Sequence, residues 1–431
     1  MWDFETDPDY QRELDWAAAF LREEIEPLQY VVPNILDRAN PVREALIPPL
    51  QRQVRERGLW ATHLGPELGG PGHGQVKLAL LNEILGALPT APVIFGCQAP
   101  DSGNAEIIAV YGTEEHKKRY LQPLLDGEIY SCFSMTEPQG GSDPQTFTTN
   151  AVLDGDDWVI NGEKWFSSNA RYAEFLIVMA VTEPDGSPYR RHSMFIVPTD
   201  TPGVDIVRGV GHTGFEPLDE GTHAYLRFTD ARVPKDNLLG GRGQAFAAAQ
   251  TRLGGGRIHH AMRTVGMARR ALDMMLERAV SRRTQGELLA NKQLVQEMIA
   301  ESWLDLEQFR LLVLRTAWRI DRYQDYQRVR GDISAVKLAM PGVLHRIASR
   351  ALQVHGSLGV SQEMPFMGMI ANAYHMGLAD GPTEVHKTTL ARSLLRGVEP
   401  APGLWPTQHI PAKRDAALAK YADVLTTVGP R

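Results

Sequence analysis

The chain has 431 residues, of which 43% are hydrophobic and 23% charged, as expected for a globular protein of two or three domains. The net charge of -7 gives no sign of a nucleic-acid-binding surface, and no apolar run reaches the roughly 18 residues of a membrane-spanning helix. With two cysteines, Cys97 and Cys132, and no signal or transit pattern at its start, the chain is expected to be cytoplasmic.

Residues 1–130 are expected to form an N-terminal helical domain. Apolar residues recur at helical spacing from Leu14 and again from Leu46. A further helix is expected after Thr113, whose hydroxyl can cap it, and Gly127 is a typical C-terminal stop.

Between residues 131 and 240 the pattern changes to short β-rich runs separated by glycine, proline and aspartate. The Asp154-Gly155 pair between two apolar runs predicts a hairpin. Several short strands at nearly even spacing predict a small barrel or sandwich, which forms a separate middle β domain.

The helical period returns in long segments between residues 241 and 400, which predict a C-terminal four-helix bundle. One helix is expected over about residues 333–354, with a kink at Pro341, because proline lacks an amide donor and clashes with the preceding turn. Residues 401–431 are expected to form a linker and a short helix from about Lys413 to Leu425. The predicted fold class is therefore α+β.

Two stretches in the middle of the chain are suited to holding a flat heteroaromatic ligand. TEPQGGSD, residues 136–143, combines hydroxyls with glycines that let a ligand approach the backbone. GEKWFSSN, residues 162–169, places aromatic rings beside hydroxyls. Together they resemble the paired flavin-binding signatures of the acyl-CoA dehydrogenase family, and the resemblance covers about residues 40–397. It implies FAD as the cofactor, whereas NAD is not expected because no G-x-G-x-x-G follows a strand.

Asp380, in ADGPTE, stands at the position of the family's catalytic base, which is usually a glutamate. Taken alone, an aspartate before a helix is more often a cap or a turn residue. Because an aspartate side chain is one methylene shorter than that of glutamate, the backbone at position 380 must lie closer to the substrate than it does in members with glutamate. The same departure is found in a branch of the family that is often fused to a kinase-like domain in animals.

The resemblance implies a reaction of fatty-acid β-oxidation, in which Asp380 removes the α-proton of an acyl-CoA thioester while flavin N5 takes the β-hydride. The product is the trans-2-enoyl-CoA. An apolar pocket is expected to raise the pKa of this base. Arg252 matches the family arginine near the base, although a surface ion pair is the alternative. Thr251 occupies the position of the base in some other members, so that alternative base is excluded.

The resemblance also implies a set of FAD contacts. In the middle domain they are Phe133, Met135, Thr136, Gly141, Ser142, Phe166 and Ser168. In the C-terminal region they are Arg282, Thr284, Gln353, Gly356, Ser357, Pro382 and Glu384. Because some of the second group reach the FAD of a neighbouring subunit in the family, a homodimer or homotetramer is expected. Electron-transfer flavoprotein is the expected electron acceptor.

Three consecutive glycines, Gly254–Gly256, suggest a wide wall beside a bulky acyl group, because each glycine in a helix costs about 1 kcal/mol relative to alanine. Ala379 stands in place of a tyrosine that is common in the family and would widen the site further. The thirteen histidines show no zinc-ligand spacing, so no metal is expected.

Two other functions stay open. One is a flavin-dependent oxidase of the same fold, such as a nitroalkane or acyl-CoA oxidase. Nitroalkane oxidase also uses an aspartate base but typically has arginine seven residues later, where this chain has Lys387. The other is a non-catalytic flavin-binding relative of the DNA-associated kind, although the tail of this chain is only mildly basic.

Overall fold

The computed structural model describes residues 5–212, 214 and 216–429. Helices precede and follow a middle sheet, so the α+β fold class predicted from the sequence is confirmed. Among the described helices, none combines the length and the apolar character that crossing a membrane requires.

The N-terminal region is helical, as predicted. Its helices are α1 (Pro8–Phe20), α2 (Pro41–Glu56), α3 (Gln75–Leu85), α4 (Ala91–Ile94), α5 (Asp101–Tyr111), α6 (Glu114–His116) and α7 (Gln122–Leu125). Two π-helical segments, Leu21–Ile25 and Lys117–Leu121, continue the neighbouring helices. Thr113 is the predicted cap: its Oγ1 accepts a hydrogen bond from the amide of His116 at 3.2 Å.

The middle region forms a single hydrogen-bonded sheet. Its strands are β1 (Ser131–Ser134), β2 (Asn150–Asp154), β3 (Asp157–Ser168), β4 (Phe175–Val181), β5 (His192–Pro198), β6 (Val204–Val210), β7 (His223–Pro234) and β8 (Leu238–Leu239). The strand order is β6-β7-β3-β2-β4-β5-β8, and β1 pairs in parallel with β4. The Asp154-Gly155 turn joins β2 and β3, which confirms the predicted hairpin. The ring of Trp158 on β3 packs against that of Phe195 on β5, with centroids 5.2 Å apart. Because β3 and β5 are not neighbours in the strand order, this contact shows that the sheet curves around its core.

Long helices return in the C-terminal region. The elements are α8 (Ala245–Ser281), β9 (Arg283–Thr284), β10 (Glu287–Leu288), α9 (Gln293–Tyr323), α10 (Arg330–His355), α11 (Ser357–Val360), α12 (Phe366–Leu378), α13 (Thr383–Leu395), α14 (Ile410–Lys420) and α15 (Ala422–Val428). Helix α10 runs through Pro341. The single helix predicted near the end of the chain is instead two, α14 and α15, because the backbone of Tyr421 leaves the helical region at φ -110° and ψ 17°.

Side chains of the C-terminal helices hold the N-terminal region in place. Asp321 of α9 accepts hydrogen bonds from the amides of Gln75 and Val76 at 2.6 and 2.9 Å, and so caps α3 from a distant part of the chain. Glu83 of α3 pairs with Arg269 of α8 at 3.0 Å and with Arg310 of α9 at 2.8 Å. These contacts fix α3 against the middle of α8, the helix that carries much of the candidate site.

Candidate active site

The two motifs that resemble flavin-binding signatures lie side by side. The Lys164 ammonium donates hydrogen bonds to the carbonyl of Met135 at 2.8 Å and to the carboxylate of Glu137 at 2.9 Å. The amide of Trp165 donates to the carbonyl of Thr136 at 2.8 Å. The loop after β1 and the end of β3 therefore form one surface, although 27 residues separate Glu137 from Lys164.

The ion pair of Lys164 and Glu137 is buried, with side-chain exposures of 0% and 1%. Burial raises the pKa of Glu137, but the charge of Lys164 and the amide of Thr148 outweigh it and bring the pKa to about 2. Burial lowers the pKa of Lys164 to about 8. Both groups are ionised at pH 7, so a charge-assisted pair anchors the loop.

A β-bulge presents Phe166. The register between β3 and β7 shifts between Lys164 and Ser167, and Phe166 has a φ of 57°, a left-handed conformation that aromatic residues rarely adopt. A bulge re-aims a side chain out of the regular alternation of a strand. His223, opposite Ser168 on β7, stacks on the Phe166 ring with centroids 4.6 Å apart. Its Nδ1 lies 2.8 Å from the Ser168 hydroxyl.

The carboxylate of Asp380 faces one side of α8. Arg252 Nη1 lies 3.9 Å from Asp380 Oδ1, and His260 Nε2 lies 3.5 Å from Oδ2. A Cβ atom added to Gly256 would lie 3.0 Å from Oδ2. Residues 252, 256 and 260 are four apart, so they share one helix face, and that face surrounds the carboxylate. The side chain of Asp380 is 16% exposed.

Two further cations hold the segment that carries Asp380. Arg257 Nε donates a hydrogen bond to the main-chain carbonyl of Asp380 at 2.9 Å. The buried ammonium of Lys337 donates to the carbonyl of Met376, at the end of α12. Asp380 itself has a φ of 55°, which is unusual for a residue other than glycine and is typical of functional sites.

The charges around Asp380 determine its protonation. Burial raises the pKa of its carboxyl, but the neighbouring side chains of His260 and Arg252 outweigh burial and hold the pKa below its ordinary value. Burial lowers the pKa of His260 to about 3, so this ring is neutral at pH 7 and the arginines carry the positive charge. The prediction of a raised pKa is therefore wrong, because the pocket is cationic as well as dry.

Arg252 connects Asp380 to strand β1 and to helix α5. Its guanidinium carbon lies 3.9 Å from the centre of the Phe133 ring, and its Nε donates to Asn104 Oδ1 at 3.0 Å. Arg252 is only 9% exposed, so the alternative of a surface ion pair is excluded. Thr251, one residue earlier, has its hydroxyl 3.1 Å from that of Tyr111.

The surface formed by the two motifs fits a flavin. Phe133, Met135, Thr136, Phe166 and Ser168 are half-buried, and they present two rings and two hydroxyls. His223 Nε2 is buried beside them without a hydrogen-bond partner in the described structure. Half-covered rings next to donors and acceptors suit a flat ligand with a polar rim. Gly141 and Ser142 are exposed at the end of the loop.

The predicted C-terminal FAD contacts lie elsewhere on the surface. Arg282 follows the end of α8, and Thr284 lies in the hairpin of β9 and β10. The exposed members of this group are Arg282, Thr284, Gln353, Gly356, Ser357 and Glu384. Pro382 is half-buried next to the Asp380 segment, where it precedes α13. Their contact with FAD stays a prediction.

The glycines of α8 do not form a wide wall. A Cβ atom at Gly254 would lie 3.5 Å from the Tyr326 ring, and one at Gly255 would lie 3.5 Å from Glu106 Oε2. Tyr326 and Glu106 thus occupy the space beside these two glycines, whereas Gly256 faces Asp380. A separate cavity of about 230 Å³ is bounded in part by Leu88, Pro92, His260 and Met376. The cavity therefore reaches His260, whose imidazole contacts Asp380.

Several site residues have no motif in the sequence. Arg257 and His260 are candidates for the site because they lie within eight residues of Arg252 on the same helix. Lys337 lies on α10, and nothing in the sequence around it relates it to Asp380. His212, His223 and His375 have ligand atoms within 4.8 Å of one another, a grouping that their spacing along the chain does not indicate.

Three protein-family models match the chain: the N-terminal domain of acyl-CoA dehydrogenase over residues 8–128, the middle domain over 132–231 and the C-terminal domain over 243–395. Over 80% of its length, this chain is 42% identical to chicken acyl-CoA dehydrogenase family member 11. The matched region spans 45% of the chicken protein. It is 41% identical to a Mycobacterium tuberculosis protein named probable acyl-CoA dehydrogenase FadE2, over 81% of this chain and 86% of the relative. A solved structure of a Mycobacterium abscessus protein assigned to the acyl-CoA dehydrogenases superposes with a TM-score of 0.83 at 36% identity, covering 91% of this chain and 99% of the other.

Proposed function

Because the chain belongs to the acyl-CoA dehydrogenase family, we propose that it catalyses the FAD-dependent α,β-dehydrogenation of an acyl-CoA thioester to the trans-2-enoyl-CoA. The observation that carries this proposal is the position of Asp380. Its carboxylate is held among buried cations, and Arg252 joins it to Phe133 on the surface that fits a flavin.

FAD is the cofactor of this family, and its residues in the middle domain would be Phe133, Met135, Thr136, Gly141, Ser142, Phe166 and Ser168. When bound, FAD supplies an acceptor for the hydride that leaves the β-carbon of the substrate. The paired motifs and the buried ion pair of Lys164 and Glu137 support this assignment, because they hold the first loop against β3.

In the proposed reaction Asp380 is the base. The thioester carbonyl acidifies the α-carbon, and a carboxylate oxygen of Asp380 accepts the proton. The lowered pKa keeps this carboxylate ionised and ready at neutral pH. Arg252 restrains the carboxylate at Oδ1, while Arg257 holds the backbone of Asp380 through its carbonyl. A proton that arrives on Asp380 is thus held beside Arg252 and His260.

The proposal extends to partners and location. Exposed Trp303 and Leu304 on α9 and exposed Leu394 and Leu395 on α13 support a homodimer or homotetramer. Electron-transfer flavoprotein is the proposed electron acceptor, on the family resemblance. A cytoplasmic location is supported by Cys97 and Cys132, which are both buried and unpaired.

The test is a panel of acyl-CoA thioesters of different chain length and branching, added without oxygen to the yellow protein. We expect at least one of them to bleach the visible flavin absorbance, with slow recovery in air. Rapid recovery with release of hydrogen peroxide would identify an oxidase instead. A protein that holds FAD but is bleached by no thioester, and that binds DNA at moderate salt, would be a non-catalytic relative.

A further inference from the structure

One buried imidazole contacts two residues of the proposed flavin surface at once. The ring of His223 stacks on Phe166 with an interplanar angle of 22°, and its Nδ1 lies 2.8 Å from the Ser168 hydroxyl. His223 is 7% exposed. No motif in the sequence marks this residue, which lies 55 positions after Ser168.

The backbone explains why both contacts converge on His223. Ser168 and His223 are directly opposite in the register of β3 and β7, and the bulge before Ser167 brings Phe166 to the same side. A left-handed aromatic residue persists only where its surroundings hold it, since this conformation costs about 1–3 kcal/mol. The stacked imidazole is a direct support for that conformation.

The surroundings of His223 determine its hydrogen bonding. His212 and His375 pack against it with ring centroids 5.2 and 5.6 Å away. Burial and these two rings lower the pKa of His223 to about 3, so it is neutral at pH 7. A neutral imidazole has one donor and one acceptor nitrogen, and Nδ1 is used by Ser168. Nε2 is left buried without a partner in the described structure.

We propose that His223 is a positioning residue for the flavin, which acts by holding the Ser168 hydroxyl in one orientation and the Phe166 ring in its bulged conformation. The inference rests on the proposed function, because it requires that Phe166 and Ser168 contact FAD. Serine hydroxyls rotate freely unless a partner fixes them, and a fixed donor is more effective towards a ligand than a mobile one.

Two substitutions separate the two contacts. His223→Phe keeps an aromatic ring against Phe166 but removes the bond to Ser168, whereas His223→Gln keeps a polar partner for Ser168 and removes the stack. The matched control is His192→Phe, because His192 is also buried in the sheet, at 1% exposed, and packs against Phe147 rather than against the flavin surface. The measurements are FAD release from the holoprotein on dilution, the visible flavin spectrum and the flavin reduction potential.

We expect His223→Phe to weaken FAD retention by about 3- to 10-fold, the effect of one lost hydrogen bond, and to shift the flavin spectrum and reduction potential. In a Ser168→Ala background the same substitution should have no further effect, because its target is already gone. His223→Gln should likewise add little to the effect of Phe166→Ala, since both substitutions remove the same stack. His192→Phe should retain FAD as the unaltered protein does.

Wild-type FAD retention, spectrum and potential in both His223 variants would overturn the inference, as would an undiminished effect of His223→Phe in the Ser168→Ala background. One equivalent of Zn²⁺ bound by the wild-type protein and lost in His223→Phe would also overturn it, and would identify His212, His223 and His375 as metal ligands. A wild-type protein that carries no FAD would contradict the proposed function itself.

Discussion

Gly256 and Asp380 face each other so closely that a Cβ atom at position 256 would lie 3.0 Å from Oδ2 of the carboxylate. This is closer than most side-chain contacts allow, so the absence of a side chain at Gly256 leaves room for the carboxylate. An aspartate side chain is one methylene shorter than that of glutamate, and the missing side chain at Gly256 lets the Asp380 carboxylate lie against α8 between Arg252 and His260.

Gly256→Ala should therefore displace the Asp380 carboxylate and lower the rate of flavin reduction, by about 10-fold or more for a shift of a few tenths of an ångström. The helix itself should tolerate alanine well. The rate is measured by stopped-flow absorbance with the best thioester of the panel. Gly368→Ala on α12 is the matched control, because a Cβ there has no neighbour within 4 Å. Equal rates in the two variants would contradict this role of Gly256.

Asp380→Asn should retain FAD and lose flavin reduction by more than about 100-fold, because an amide cannot accept the α-proton. Visible absorbance reports FAD content, and anaerobic bleaching by an acyl-CoA reports the reaction. Asp273→Asn, at an exposed position on α8, should behave as the unaltered protein. Flavin reduction at the normal rate in the Asp380→Asn variant would overturn the assignment of the base.

Arg252→Met should move the acid limb of the kcat/KM profile to higher pH. Arg252 lowers the pKa of Asp380, so its removal raises that pKa. A base works only when ionised, and activity is lost as pH falls through its pKa. The profile of Arg242→Met, an exposed arginine before α8, should match that of the unaltered protein. An unshifted acid limb in the Arg252 variant would contradict the electrostatic role of this arginine.

Glu137→Gln should lower the free energy of unfolding by about 3–5 kcal/mol, because it leaves the Lys164 ammonium buried without a counter-ion. The loop after β1 should loosen too, since Lys164 also holds the Met135 carbonyl. Urea titration followed by circular dichroism measures the first effect. Glu163→Gln is the control: its pair with Arg227 is exposed, and exposed pairs contribute about 1 kcal/mol or less. Similar losses in both variants would show that burial of the Lys164 pair is unimportant.

Phe166→Ala should weaken FAD retention by about 1–3 kcal/mol through lost stacking and burial. Phe246→Ala removes another half-buried ring, which packs against Tyr189 away from the two motifs, and should leave retention unchanged. FAD released on dilution is measured by fluorescence. Undiminished retention in the Phe166 variant would mean that this ring does not contact the flavin.

The order of helices and strands follows from the amino-acid sequence alone, because hydrophobic periodicity and turn residues are local signals. The Thr113 cap and the Asp154-Gly155 hairpin are examples that the structure confirms. The sequence also pointed, through motifs of consecutive residues, to the loop after β1, to β3 and to Asp380. The break between α14 and α15 was missed, because no glycine or proline marks Tyr421.

The charges and rings that surround those motifs are brought there by the packing of remote parts of the chain. The cations that lower the pKa of Asp380 come from α8 and α10, and Lys337 has no local signal that relates it to position 380. Tyr326 fills the space beside Gly254, so a glycine run that suggests a wide wall adjoins an aromatic ring instead. His223 meets Phe166 and Ser168 through strand register. Electrostatics and packing depend on distance in space, and distance in space between remote residues is set by how the helices and the sheet pack together.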